Sequence, residues 1–160
     1  MSETAPFPTS DPMSEGQTSN LRVPPHSIEA EQAVIGGLLL DNRAWEQIAD
    51  KLVEDDFYRY DHRLLFSAIR ELEARNEPFD AVTLSQCLEK NNLLDKAGGL
   101  LYLGRLAKDT PSASNIVAYA NIVREKSVLR QLIAVGTDIS ASGYQPEGRD
   151  SKELLDDAEK

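Results

Sequence analysis

The segment from Gly99 to Leu106 has the glycine spacing of a phosphate-binding loop. A P-loop continues after its second glycine with Lys and then Ser or Thr, because these side chains reach the phosphates and the magnesium ion. Here Arg105 and Leu106 follow Gly104, and the residues between the glycines are apolar. The segment is therefore predicted to be a core helix. We expect this chain to hold no cofactor and to neither bind nor hydrolyse ATP.

A second group that could do chemistry is Asp55, Asp56 and His62, which could form a metal or acid–base site. Adjacent residues of an extended segment point to opposite sides, so the two aspartates are poor co-ligands. We interpret them as a solvated loop, and His62 as a packing or hydrogen-bonding residue. A small enzyme that uses this region is the alternative, and a strongly shifted carboxylate pKa in a pocket would favour it. The one cysteine, Cys87, excludes an internal disulfide and a cysteine-based zinc cluster.

Direct DNA recognition is the third chemistry to consider, since residues 83–108 could be drawn as a helix-turn-helix. A recognition helix needs polar and basic side chains in its N-terminal half, and residues 98–103 offer none. The chain has 17 Lys and Arg against 27 Asp and Glu, a net charge of −10. Proteins that grip nucleic acid usually cluster positive charge on one face. We therefore expect no strong direct binding of DNA by this chain.

The 160 residues suffice for about one domain. The longest apolar run, Ala33 to Leu40, is much shorter than the roughly 20 residues of a membrane-spanning helix. The N-terminus lacks the basic start and apolar stretch of a secretory signal. These observations predict a cytoplasmic protein without a membrane partner.

Helical periodicity dominates after residue 26. Residues 1–26 are rich in Pro, Ser, Thr and Glu and are predicted to be a disordered tail. Ser27 can cap a helix from about Ile28 to Leu40, which is apolar on most faces and should be central. Its Gly36-Gly37 pair lowers helix propensity, which suggests that another helix crosses close by.

Further helices are expected where apolar residues recur at helical spacing and polar residues can cap them. Their predicted starts are Asp41 or Asn42, Asp61, Thr83 with Gln86 as a capping box, and Gly98-Gly99. Alternating strand patterns and repeats are missing from the sequence. The fold class is therefore predicted to be all-α, with a globular helical subdomain over residues 27–110.

A long helix is predicted from Ser114 or Asn115 to about Ala141, ended by Gly143. At about 1.5 Å per residue it is roughly 40 Å long, more than a small bundle can cover. Asp150 and Glu153 have capping-box spacing for a further helix that should fold back antiparallel. Residues 111–160 are thus predicted to be a protruding helical hairpin whose second arm is truncated. Its apolar residues make it a candidate self-association surface, with the candidates Ile122, Leu129, Leu132, Leu154 and Leu155.

Six segments resemble the N-terminal region of the DnaB family of bacterial replicative helicases, in the same order and over about Leu21 to Lys160. They are Val23-Pro-Pro-His-Ser-Ile-Glu-Ala-Glu-Gln-Ala-Val-Ile-Gly-Gly-Leu-Leu-Leu-Asp, Asp55-Asp-Phe-Tyr followed by His62, Phe79-Asp-Ala-Val-Thr-Leu, Gly98-Gly with Tyr102-Leu, Thr110-Pro-Ser-Ala-Ser-Asn-Ile, and Tyr119-Ala-Asn-Ile-Val-Arg-Glu-Lys-Ser. One departure is Asn76-Glu-Pro-Phe, where the family usually has a glycine and an Ile or Val.

The resemblance implies a non-catalytic collar domain. In the family, hairpins pair subunits, and three pairs form a collar over a hexameric motor. The collar also binds the C-terminal domain of the primase and so stimulates priming. The motor, a RecA-like ATPase that uses ATP and Mg, would lie C-terminal to this chain and be absent from it. A helicase loader is a further expected partner. Tyr102, Ile133 and Ile139 match primase-contact positions of the family. The alternative is a stand-alone helical adaptor with no motor attached.

Overall fold

The computed structural model describes residues 22–159, and over this range the chain forms seven α-helices and no strand. The all-α prediction is therefore confirmed. The helices are α1 (Ile28–Leu40), α2 (Trp45–Ile48), α3 (Tyr60–Ala74), α4 (Ala81–Lys90), α5 (Gly99–Asp109), α6 (Ile116–Tyr144) and α7 (Ser151–Ala158). Two 3-10 turns, Asn42–Ala44 and Glu54–Asp56, precede α2 and α3.

Helix α1 lies at the centre of the globular body, as its apolar composition predicts. The Ser27 hydroxyl caps it by accepting a hydrogen bond from the Ala30 N–H at 3.2 Å. Val34, Ile35 and Leu38 are completely buried. Helices α3, α5 and α6 all pack against α1, so the hydrophobic surface of one helix organises the whole body.

The two glycines of α1 mark the close crossing that the sequence predicts. A Cβ atom on Gly36 would lie 2.0 Å from Thr110 Oγ1 and 2.6 Å from the Leu106 carbonyl oxygen, both at the end of α5. A Cβ atom on Gly37 would lie 3.3 Å from Ile116 at the start of α6. Only glycine lets α5 and its following loop approach α1 so closely.

Several element boundaries differ from the sequence prediction. Asp80, not Thr83, is the N-cap of α4, and its side chain accepts from the Thr83 N–H at 2.8 Å. Helix α6 continues through Gly143 to Tyr144, because a single glycine costs a helix only about 1 kcal/mol. The prediction of a core helix holds only for the inner face of α5, because Leu101 on its outer face is 79% exposed.

The last residues of the predicted disordered tail have a defined conformation. The His26 ring stacks on the Tyr58 ring with centroids 4.2 Å apart. The Pro25 carbonyl accepts a hydrogen bond from Arg130 Nη1 at 2.8 Å. The prediction for residues 1–21 lies outside the described residues.

Helix α6 joins the body to a projecting arm, which consists of the part of α6 beyond Ser127 together with α7. Its buried residues are Ile116, Ala120, Val123 and Ser127, all in its first half. Every residue from 131 to 141 is exposed. Helix α7 begins after a short loop, capped by the Asp150 side chain, and packs against the distal part of α6. Over the described residues, no helix is long and apolar enough to cross a membrane.

Candidate interaction surface

A buried carboxylate holds the arm at its root. Asp56 is 1% exposed, and its Oδ1 accepts hydrogen bonds from Arg124 Nη1 at 2.7 Å and from the Ser127 hydroxyl at 2.8 Å. Its Oδ2 accepts from the Val53 N–H at 2.8 Å, which closes the 3-10 turn. The interpretation of Asp56 as a solvated loop residue is therefore wrong, whereas its neighbour Asp55 is exposed.

Arg130, one turn further along α6, makes a second set of contacts with the body. Its Nη2 donates to the Asp56 carbonyl at 2.7 Å, and Nη1 donates to the Pro25 carbonyl. Its guanidinium group lies 5.6 Å from the centroid of the Tyr58 ring, in a cation–π arrangement. Arg130 therefore links Pro25, near the start of the described chain, and the root of the arm to the 3-10 turn that contains Asp56.

Beyond this anchor the arm carries apolar side chains into solvent. The exposed fractions are 41% for Val128, 66% for Leu132, 54% for Ile133, 51% for Val135 and 46% for Ile139. Isolated exposed apolar residues are ordinary, but a run of them on one projecting helix makes it a candidate interaction surface. We call these five residues the arm surface.

The hairpin candidates fall into two groups. Leu154 and Leu155 line one groove between α6 and α7, together with the primase-contact candidate Ile139, and Leu155 is still 66% exposed. Leu132 is 66% exposed on α6 and does not line this groove. Leu129 is half-buried near the anchor, and Ile122 is 41% exposed on the proximal half of α6. The structure thus brings together Leu154 and Leu155 and leaves Ile122, Leu129 and Leu132 apart from them.

Tyr102 lies on α5 of the body, and its hydroxyl is tied to a buried network. Tyr102 Oη is 2.6 Å from His62 Nε2 and accepts from Gln32 Nε2 at 3.2 Å. His62 Nδ1 lies 2.8 Å from Glu31 Oε1. Burial is the main cause that raises the pKa of Tyr102 above its ordinary value, opposed by the hydrogen bond from Gln32. The ring is half-buried, so part of it can still contact a partner.

His62 is hydrogen-bonded, as the sequence predicts, and it is also completely buried. Asp56 and His62 face different partners, so they do not form a joint site with Asp55. Among the described residues, no group of three or more His, Cys, Asp or Glu side chains could hold a metal ion. Sequence reasoning missed the partners Glu31 and Asp56. For Glu31, the only sequence signal is that helical periodicity directs this acidic residue inward. For Asp56, it is the aromatic residue that follows it in the sequence.

Comparisons with known proteins agree with the architecture. Residues 23–125 match the model of the DnaB-like helicase N-terminal domain. The chain is 47% identical to the replicative DNA helicase DnaB of Haemophilus influenzae over 147 residues, which cover 92% of this chain and 31% of the relative. It is similar to the crystal structure of the N-terminal domain of DnaB helicase from Mycobacterium tuberculosis, with a TM-score of 0.82 and 41% identity over 86% of this chain and 96% of that one.

A further structure, the N-terminal domain of DnaB helicase from Helicobacter pylori, has a TM-score of 0.62 at 21% identity over 84% of this chain and 99% of that one. At this identity the likeness shows the fold alone. The chain spans about a third of the length of the curated relatives that it matches, 31% for the Haemophilus influenzae helicase. The family model and the Mycobacterium tuberculosis domain together place this chain, as an N-terminal domain, in the DnaB family of replicative helicases.

Proposed function

We propose that this domain is the collar module of a replicative DNA helicase, which pairs subunits through its helical hairpin and docks the C-terminal domain of the primase. The observation that carries the proposal is the arm surface, five apolar side chains on a helix that projects beyond its last buried residue, Ser127. An apolar helix face in water is stabilised when a partner covers it.

Self-association fits the geometry of the hairpin. The groove between α6 and α7 is lined mainly by apolar side chains and remains open. A second hairpin laid alongside would fill it by helix packing at the usual distance of about 8–10 Å. Two copies then bury the same surface on each other, which is the rule for a twofold dimer.

Leu132→Arg is expected to weaken self-association at least tenfold, because a charge in the centre of an apolar interface loses its water without gaining a partner. Sedimentation equilibrium over a range of protein concentrations measures the effect. Ala134→Arg, at an exposed position of α6 about 160° round the helix from Leu132, is the matched control and should change little. A strictly monomeric wild-type protein at high concentration would contradict the proposal.

Primase docking rests on a different set of positions. The Helicobacter pylori domain was described together with its interactions with primase, and so was a further DnaB-like replicative helicase. Ile133 and Ile139 of the arm surface are exposed, and Tyr102 is half-exposed on the body. The two isoleucines are six residues apart, about 120° round a helix, so a primase domain must wrap an edge of the arm to contact both.

Ile133→Arg and Tyr102→Ala are each expected to weaken binding of the primase C-terminal domain about tenfold or more, equivalent to about 1.4 kcal/mol. Titration calorimetry with the isolated primase domain measures the affinity, and thermal unfolding checks the fold. Ala134→Arg again serves as the control for added charge. Unchanged affinity in both variants, with stability intact, would place the contact surface elsewhere.

The activity of the whole protein is a further part of the proposal. The curated relatives are replicative DNA helicases, which supports an ATP- and Mg-dependent motor in the same protein outside this chain. They do not favour a stand-alone adaptor. A helicase loader is a further proposed partner, and the cytoplasm the proposed location.

A further inference from the structure

A chain of hydrogen bonds crosses the interior of the body from α1 through α3 to α5. It runs from Glu31 to His62 at 2.8 Å, from His62 to Tyr102 at 2.6 Å, and from Gln32 to Tyr102 at 3.2 Å. His62 is completely buried and Glu31 is 1% exposed. Buried polar groups of this kind are costly unless each donor faces an acceptor, so the positions of the protons are constrained.

The constraint begins at Glu31, whose contacts are all with donors. Its Oε2 accepts a hydrogen bond from the Tyr58 backbone N–H at 2.9 Å, and its Oε1 accepts one from the Arg59 backbone N–H at 3.4 Å. A carboxylate can only accept, so His62 Nδ1 carries a hydrogen and donates it to Oε1. A carboxylate that holds one imidazole nitrogen in this way fixes the tautomer and leaves the other nitrogen as an acceptor.

The acceptor nitrogen then determines where the Tyr102 hydroxyl points. Gln32 Nε2 donates to the Tyr102 oxygen, so the hydroxyl hydrogen is left to be donated to His62 Nε2. The carboxylate of Asp61 is 3.9 Å from Nε2, beyond hydrogen-bond distance, and it is paired with Arg59. Protons thus run in one direction, from Gln32 through Tyr102 and His62 to Glu31.

We propose that Glu31 and His62 are positioning residues that hold the Tyr102 ring in a single orientation for its partner. The inference rests on the proposed function, in which Tyr102 contacts the primase. The outer face of the ring lies near the Arg59 guanidinium, 5.5 Å from the ring centroid. A side chain that is already ordered loses less conformational entropy when a partner binds, and this gain appears directly in the affinity.

Glu31→Gln tests the direction of the protons with a minimal change of shape. Glutamine has one acceptor oxygen, whereas the Tyr58 N–H and His62 Nδ1–H both need one. If that oxygen stays with the Tyr58 N–H, the amide NH2 group faces Nδ1 and drives the imidazole to the Nε2–H tautomer. The Tyr102 hydroxyl then loses its acceptor, and His62 Nε2–H instead competes with Gln32 Nε2 to donate to the same phenolic oxygen, so the ring is held less firmly.

The tautomer can be read without any partner, because the chain has two histidines, His26 and His62. In long-range ¹H–¹⁵N spectra, wild-type His62 should show the Nδ1–H tautomer and the Glu31→Gln variant the Nε2–H tautomer. A buried His62 in the Nε2–H form in wild type, or no change in the variant, would overturn the proposal.

The effect on binding is measured with the primase C-terminal domain. Glu31→Gln should weaken binding roughly three- to tenfold, the range expected when one interface side chain loses its order. In a Tyr102→Phe background the same substitution should have no further effect, because the hydroxyl that it releases is already gone. Equal losses in both backgrounds would mean that Glu31 acts through general stability, and would refute its positioning role. Glu46→Gln, at an exposed position of α2, is the control.

If Glu31→Gln does not fold, Tyr102→Phe alone decides, since it removes the hydroxyl and keeps the ring: wild-type affinity in this variant would refute the proposal. The two proposals fail differently. If Tyr102→Ala leaves primase affinity unchanged, the proposed contact is wrong and the positioning role falls with it. If Tyr102→Ala weakens binding and Glu31→Gln does not, only the positioning role is overturned.

Discussion

Gly36→Ala is expected to lower the stability of the domain by about 3 kcal/mol, at the upper end of the cost of overpacking a core. The added methyl group would lie 2.0 Å from Thr110 Oγ1 and 2.6 Å from the Leu106 carbonyl oxygen. The threonine could rotate away only by giving up its hydrogen bond to that carbonyl, at 2.8 Å. The carbonyl itself is backbone, so the C-terminal end of α5 has to move away from α1.

Thermal and denaturant unfolding measure this loss, and a domain of this size should melt roughly 6–12 °C lower. Gly104→Ala is the matched control, since Gly104 lies in α5 and a Cβ atom there would meet nothing within 4 Å. That change should stabilise by about 0.5–1 kcal/mol through helix propensity. Gly37→Ala should cost little, because its nearest contact at 3.3 Å is the flexible end of Ile116. Equal effects of Gly36→Ala and Gly104→Ala would show that the two helices cross less closely than the structure has them.

The helices and their centre could be predicted from the sequence because they depend on periodicity and local capping. The bounds of α1, its Ser27 cap and its close neighbour at Gly36 all follow from residues within one segment. The family could be predicted because six short segments occur in a fixed order. Both kinds of information are contained in residues near to one another in the chain.

The buried polar contacts could not be predicted, because they join residues far apart in sequence. Glu31 is 31 positions from His62, and Asp56 is 71 positions from Ser127. A charged residue in a loop or first helical turn is usually solvated, so composition alone favours the wrong environment for Asp56 and gives Glu31 no partner. The predicted start of α4 is wrong for a different, local reason: Asp80 and Thr83 cap each other, and the sequence offers several polar residues at capping spacing.

The arm depends both on local helical periodicity and on contacts between residues that are far apart in the sequence. Periodicity predicts a helix that is too long for the body, but it does not show what keeps its direction fixed. In the structure, the direction of the arm is fixed around the turn at Glu54–Asp56. The groups that fix it are the Asp56 carboxylate, the Ser127 hydroxyl and the side chains of Arg124 and Arg130. The proposed contacts of the arm with a second subunit or with primase would act on the body through this root.

Asp56→Ala is therefore expected to cost about 2–3 kcal/mol and to loosen the arm. The substitution leaves the Val53 N–H and the Ser127 hydroxyl without their acceptor, at about 1 kcal/mol or more for each buried group. Loss of a partner for a fully buried charge would cost about 3–5 kcal/mol. The side chain of Arg124 is 48% exposed, so water can solvate it and the total stays below that range.

Hydrogen exchange separates this effect from general unfolding. Backbone amides at the root of α6, near Ser127, should lose more protection than those of α4, which does not contact the anchor. Asp55→Ala is the matched control, because Asp55 sits in the same 3-10 turn with an exposed side chain and should change stability by no more than about 0.5 kcal/mol. In an Asp56→Ala background, Ser127→Ala should cost less than in wild type, since the two residues share one hydrogen bond. Additive losses, or equal loss of protection in α4 and at the root of α6, would show that the carboxylate stabilises the turn alone and does not anchor the arm.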